Sequence, residues 1–188
     1  MLYIVLEAYR ERKLFTAQLR RLLGFQTRME VDTTPLNYLV LIEAAGILPR
    51  LFASVLIPPA VKKELSHGNA PAAVSTWIAN PPSWLKVVNL KTSVAAMFSY
   101  LDGSEAEAIT LALEQPGTLL LMDDRHGTVE ARKRGLEVVG TLAVLDSAAA
   151  RGWIDLQEMF RRLRASTFRS PLRLMARMLE EDALRNRR

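Results

Sequence analysis

From residue 31 onward, short apolar runs alternate with longer segments of helical periodicity. SVLIPP (54–59), WLKVVNL (84–90), TLLLM (118–122) and LEVVG (136–140) read as strands, several of them apolar at successive positions as strands covered on both faces are. Between them PLNYLVLIEAAG, PPAVKKELSHG, APAAVSTWIAN, GSEAEAITLALEQPG, RHGTVEARKRG and TLAVLDSAAARG carry helical spacing. Strands separated by helices predict an α/β fold, a mostly parallel sheet with helices on both faces. Gly and Pro punctuate it, at Gly46, Gly68, Pro81, Pro82, Pro116, Gly117, Gly135 and Gly152. After Gly152, IDLQEMFRRLRAST and SPLRLMARMLEEDALRNRR predict two amphipathic helices, the second with Ser170 as N-cap and Pro171 at its first position. No internal repeat is visible.

Composition narrows the chemistry. With 188 residues, 49% of them hydrophobic, the chain can bury one substantial core. It has no cysteine and two histidines, so a bound metal must rest on oxygen ligands, which suits a hard cation. No apolar run approaches membrane-spanning length, and the start MLYIVLEAYRER lacks the order of a signal peptide, so no membrane association and a cytoplasmic location are expected. The net charge of +5 is uneven: residues 1–28 carry +4, residues 29–150 carry −4 and residues 151–188 carry +5. Basic flanks can collect a polyanion and an acidic middle can hold cations, although both flanks also read as solvated amphipathic helices.

In an open α/β sheet, ligands bind beyond the carboxyl ends of the strands. Four such places carry acids. Asp32 would end the first strand, with Thr34 capping the helix at Pro35 and able to steady a ligand. Glu64 follows the strand at 54–58 in PPAVKKEL, where a solvated glutamate beside two lysines is the plainer alternative. In GSEAEAITLALE, Ser104 and Glu107 match a capping box, so Glu107 reads equally as cap or as ligand, and Glu105, at the first helical position, is freer to meet a metal. Asp123 and Asp124 end the apolar run TLLLM; successive strand side chains diverge, so both reach one site only if the strand has already stopped. Asp32, Glu64, Glu105 and Asp124 together would repel one another unless a divalent cation sat among them. Oxygen-only ligation suits Mg²⁺ or Mn²⁺, and the chemistry that follows is phosphodiester hydrolysis.

VDTTPLNYL, IPPAVKKEL, LDGSEAEAITLALE and LLLMDDRHGTVEARKRGLEVVGTLAVL resemble the successive motifs of PIN-domain proteins, close to the VapC-like toxins of bacterial toxin–antitoxin systems. The resemblance implies a three-layer α/β/α sandwich with a central mostly parallel sheet. It further implies a Mg²⁺- or Mn²⁺-dependent endoribonuclease acting on RNA, an antitoxin partner and a homodimer. It assigns catalytic roles to Asp32, Glu64, Glu105 and Asp124, metal ligation to Asp32, Glu105 and Asp124, and support to Thr34, Glu107 and Asp123. For the doubled carboxylate, Asp124 is the expected ligand; Asp123 is expected to act as a supporting acceptor or to cap the helix that begins near Arg125.

The chain departs from that pattern at its front. In FQTRMEVD only Phe25, Met29 and Val31 are apolar, which predicts a poor central strand. Upstream, LEAYRERKLFTAQLRRLLGFQTRMEV resembles part of a small helix-turn-helix antitoxin, with Thr16 capping a helix that turns Leu19, Leu22 and Leu23 inward and ends at Gly24. The expected organisation is therefore an antitoxin-like extension (1–28), a PIN-like nuclease domain (29–170) and a basic C-terminal helix (171–188), the plainer alternative for the front being an ordinary amphipathic extension.

Other signals are weaker. His126 and the basic run 132–134 could touch phosphate but read more simply as solvated. Trp77, Trp84 and Trp153 lack interleaved basic residues and are assigned to packing. A binding module on a degenerate PIN scaffold is the competing function. A phosphoacceptor site ranks below it, because Lys133 is the one lysine after Lys91.

Overall fold

The computed structural model describes residues 27–92, 98 and 100–186. The antitoxin-like reading of the extension, with Thr16, Leu19, Leu22, Leu23, Gly24 and Phe25, lies outside those residues. Five strands, β1 (Arg28–Val31), β2 (Ser54–Ile57), β3 (Leu85–Val87), β4 (Leu119–Leu121) and β5 (Val138–Val139), form one sheet in the order β3-β2-β1-β4-β5. Every pairing is parallel, which sharpens the expected mostly parallel sheet. The chain builds outward from β1 through β2 to β3, then returns to the other side of β1 for β4 and β5. The resulting topological switch point lies between the carboxyl ends of β1 and β4.

Helices fill the crossovers: α1 (Thr33–Leu41), a single 3₁₀ turn (Ala45–Ile47), α2 (Leu48–Leu51), α3 (Pro59–Leu65), α4 (Ala72–Ala79), α5 (Gly103–Glu114), α6 (Arg125–Lys133) and α7 (Thr141–Ala149). The strand period of two divides the sheet's side chains. Met29, Val31, Val55, Ile57, Leu119 and Leu121 join the larger core with Leu36, Leu39 and Leu145, whereas Leu120 and Val138 join a smaller core with Ala106, Ile109 and Ala112 of α5. Helices therefore cover both faces, and the fold is the predicted three-layer sandwich.

The weak-looking lead-in is corrected by the structure. β1 is the central strand, paired with both β2 and β4, and Met29, Glu30 and Val31 are all buried. Two flanking ladders satisfy its backbone, so a strand of few apolar residues suffices. At the opposite extreme, WLKVVNL contracts to Leu85–Val87 at the sheet edge, where Lys86 and Val87 are exposed. Trp77 and Trp84 pack against each other, ring centroids 5.9 Å apart, and Arg50 lies 3.9 Å over the ring of Trp153, in keeping with packing roles.

The two C-terminal helices, α8 (Leu156–Ala165) and α9 (Leu172–Arg185), complete the larger core with Leu156, Phe160, Leu163, Met175 and Met178. The N-cap of α9 is Pro171 rather than Ser170, whose hydroxyl instead donates to the Phe168 carbonyl. Arg162 reaches back to α1, donating to the Ile42 carbonyl at 3.1 Å and to the Glu43 carboxylate at 2.9 Å. Glu43 holds a φ of 61°, so this clasp fixes a turn that a non-glycine residue rarely adopts. Among the described residues no helix is long and apolar enough to cross a membrane.

Candidate functional site

Asp32 follows β1 directly, and its backbone N–H continues the ladder to the Leu121 carbonyl at 3.0 Å. The residue is therefore rigidly placed at the switch point. It is the N-cap of α1 by backbone geometry, yet its side chain makes no capping bond. Its Oδ1 is buried and has no hydrogen-bond partner. Thr34, expected to cap α1, lies inside the first turn and is exposed. The threonine that acts is Thr33, whose hydroxyl donates to the Glu64 carboxylate at 2.8 Å. This bond ties the exposed end of α3 to the start of α1.

The expected capping box on α5 does not form. The helix begins two residues earlier, with Asp102 as N-cap accepting from the Ser104 N–H, so Glu105 occupies the third helical position. A competing local acceptor displaced the Ser104 hydroxyl. Glu107 instead accepts from the Ala60 N–H of α3 at 2.8 Å. The N-cap of α3 is Pro58, which has no side-chain acceptor, so a carboxylate from a neighbouring helix supplies one. Glu107 thus locks α5 to α3.

The doubled carboxylate resolves into two structural tasks. β4 stops at Leu121, so Asp123 and Asp124 are no longer bound to strand alternation. Asp124, not Asp123, caps α6: its Oδ1 accepts from the His126 and Gly127 N–H groups at 2.7 and 3.0 Å. Asp123 reaches across to α7, accepting the Thr141 N–H on Oδ1 at 2.9 Å and the Thr141 hydroxyl on Oδ2 at 2.6 Å. Two glycines permit this layout. A Cβ on Gly140 would come 3.0 Å from Asp123 Oδ1, and a Cβ on Gly127 would come 2.5 Å from the Met122 sulfur and 3.7 Å from the Glu105 carboxyl carbon.

Electrostatics join these acids into one group. Burial is the main reason the Asp32 carboxyl is pushed up to about 7; Glu105, Glu64 and Asp123 push it further, against a hydrogen bond from the Thr33 N–H. Glu105 is raised by burial and then by Asp124, and Asp123 is raised by burial against its bonds from Thr141. Glu30, on the same strand two residues before Asp32, is raised well above the carboxylate range by burial and then by Asp32. Both of its carboxyl oxygens are buried without a partner.

A hard divalent cation fits the donor chemistry: all these groups offer oxygen, and the buried Asp32 Oδ1 has no partner while Glu105, Glu64 and Asp123 bear on its carboxyl. As the side chains stand, however, no three Asp, Glu or His among the described residues are grouped closely enough to hold an ion. His126 is exposed at the start of α6. Sequence reasoning placed the four acids near one another; their charges couple Asp32 to Glu64 and Glu105, and Glu105 to Asp124, while no three of them stand within reach of one ion. It missed Thr33, Thr141, Gly127, Gly140 and the buried Glu30. The Gly140-Thr141 pair ahead of a helix was the readable signal for one of these, since a small residue followed by Thr favours a helix start.

Comparison with known proteins agrees with this architecture. No curated protein matches the chain. The family model DUF3368, described as a PIN domain, matches residues 29–183, which span the sheet, all four acid positions and most of α9. PIN domains are in general nucleases, and they usually use divalent metals. On that match, and on a parallel sheet with acids converging at its switch point, the chain belongs to the PIN-domain family.

Proposed function

We propose that the chain is a Mg²⁺- or Mn²⁺-dependent endoribonuclease, the toxin of a toxin–antitoxin pair, acting as a cytoplasmic homodimer. The observation that carries the nuclease reading is Asp32 Oδ1, buried at the switch point without a partner amid Glu64, Glu105 and Asp123. A buried carboxyl oxygen left unsatisfied is costly, and a cation removes both that cost and the repulsion among its neighbours. Asp32, Glu105 and Asp124 would hold the ion. The capping bonds of Asp124 both use Oδ1, which leaves Oδ2 for ligation. When bound, the cation supplies an acidified water and neutralises charge on the transferring phosphate.

The chain's own residues do the positioning. Thr33 steers Glu64, the exposed acid with access to water on the solvent side. Asp123 has both oxygens engaged by Thr141 and holds the β4–α6 turn against α7 rather than ligating. Glu107, engaged by Ala60, acts as a support. The toxin role and the antitoxin partner rest on the resemblance of the four motifs to VapC-like proteins.

The test is cleavage of single-stranded RNA by purified protein with Mn²⁺, comparing parent, Asp32→Asn, Asp124→Asn, chelator-treated protein and a variant lacking residues 1–28. Cleavage by the parent that chelator and both substitutions abolish is expected; cleavage by Asp32→Asn at the parental rate would refute the site. Growth arrest on induced expression tests the toxin role. One observation favours a second reading, a binding scaffold that does not cut: no three of the acids stand grouped for an ion. RNA binding without cleavage, unaffected by chelator, would support it.

A further inference from the structure

We infer that the groove beside Glu64 is a nucleobase subsite for the nucleotide adjoining the scissile phosphate, an inference that rests on the nuclease reading. The groove encloses about 380 Å³ between α1 and the turn after α3. From α1 come Thr33, Thr34, Asn37 and Tyr38, whose spacing places them on one helical face. From the turn come His67 and Asn69, with Leu65, Ala70 and Pro71 supplying apolar wall. Glu64 belongs to both places: it lines the groove and accepts the Thr33 hydroxyl one residue from Asp32. A ligand in the groove therefore lies against the acid cluster.

Size and chemistry select the occupant. The volume lies at the low end of small-ligand pockets, which run from roughly 300 to 1,000 Å³, so it suits a single heterocycle with its sugar. Among the described lining residues none is Lys or Arg, and Glu64 would repel an anion, so these walls do not themselves favour phosphate. A neutral base is flat and carries mixed donors and acceptors along its edge. The Asn37 and Asn69 amides each offer both, and the Thr34 hydroxyl adds another.

Two lining groups are held by bonds of their own. The Tyr38 hydroxyl lies 3.1 Å from Thr167 Oγ1, and its ring meets Phe168 edge-on at 5.0 Å, so it forms a fixed aromatic wall on which a base can stack. His67 accepts the Asn69 N–H on Nδ1 at 3.3 Å, so in its neutral form Nε2 carries the proton as a donor. Lys62 and Lys63, exposed on the same helix as Glu64, are available to a flanking phosphate outside the groove.

The experiment titrates the full chain with the four nucleoside 5′-monophosphates and with ribose 5-phosphate, following the Asn side-chain amide resonances and the dissociation constants. At least one monophosphate is expected to shift the Asn37 and Asn69 amides and to bind about tenfold more tightly than ribose 5-phosphate. Asn37→Ala and Asn69→Ala are each expected to erase most of that difference. Equal binding of ribose 5-phosphate, or binding unchanged in both variants, overturns the subsite and points to phosphate capture alone. Cleavage assays separate the two readings. Base-selective binding by a protein that never cleaves RNA refutes the nuclease reading, and metal-dependent cleavage with no base preference that Asn37→Ala leaves intact refutes the groove.

Discussion

Asp123 holds Thr141 by both of its polar groups, the backbone N–H at 2.9 Å and the hydroxyl at 2.6 Å, and so joins the end of β4 to the start of α7 beyond the neighbouring strand β5. Thr141 is fully buried, so removing its acceptor leaves two donors with no access to water. Asp123→Ala should cost about 1–3 kcal/mol for each buried donor left unsatisfied, while Asp124→Ala, the loss of a helix cap, should cost about 0.5–2 kcal/mol. Urea denaturation at pH 8 without metal ranks the two. A larger loss at Asp124 would contradict the division of labour within the pair.

The two glutamates of α5 separate by role. Glu107→Gln keeps an acceptor for the Ala60 N–H and should leave stability within about 0.5 kcal/mol and cleavage intact, whereas Glu107→Ala should cost about 0.5–2 kcal/mol. Glu105→Gln should leave the fold alone and remove metal-dependent cleavage. Paired thermal melts and single-turnover cleavage decide this, and wild-type cleavage by Glu105→Gln would count against the assignment.

The metal-free protein should grow more stable on mild acidification. Asp32 has a folded pKa of about 7 against a reference of 3.8, so the folded state binds this proton more readily than the unfolded state. Stability attached to it is fully present below about pH 4 and is lost as pH rises through about 7; a shift of this size corresponds to about 4 kcal/mol as an upper bound. Glu30 acts in the same direction. Chemical denaturation in chelator at pH 5 and pH 8 should show the loss, and Asp32→Asn should flatten it. Added Mn²⁺ should raise the melting temperature of the parent at pH 8 but not that of Asp32→Asn. A parent no less stable at pH 8 than at pH 5 would contradict the burial argument.

Gly127→Ala tests the tight approach of α6 to the site. Alanine in a helix is favoured over glycine by about 1 kcal/mol, but the new methyl would meet the buried Met122 sulfur at 2.5 Å. Met122 is buried, so moving the end of its side chain aside costs about 1–3 kcal/mol by overpacking, which should offset the helix gain, and cleavage should fall as Met122 shifts beside Glu105. Trimming the obstacle in a Gly127→Ala, Met122→Ala double variant should recover cleavage relative to Gly127→Ala alone, although a cavity replaces the clash.

Much of this architecture was legible in the chain. The continuous apolar runs at β2 and β4 and the Gly and Pro breaks around them specify parallel strands joined by helices, because each strand must be covered on both faces. β1 was not legible as central: its position comes from neighbours on both sides, which local composition does not record. The acids were readable as a set, since carboxylates at successive strand ends converge in such a sheet. Their individual tasks were not, because Glu107 and Asp123 bond to partners 47 and 18 residues away, while Asp102 took the local capping place assigned to Ser104. Thr33 displaced Thr34 for a similar reason: α1 starts two residues before the turn chemistry of Thr34-Pro35 suggests.

The reach of Arg162 to the Glu43 turn spans 119 residues of chain, and β2, β3, β4 and β5 all fall within that span. An exposed ion pair contributes little by itself, but here it sits on a helix whose Leu156, Phe160 and Leu163 are buried in the larger core. The beginning and end of the domain are therefore fastened to each other, and Arg185 adds a tie from the last helix to Asp146 of α7. Peeling away the last two helices would slacken the turn that follows α1, and with it the footing of Asp32 and Thr33, so unravelling from the C-terminal end reaches the end of the sheet that carries Asp32.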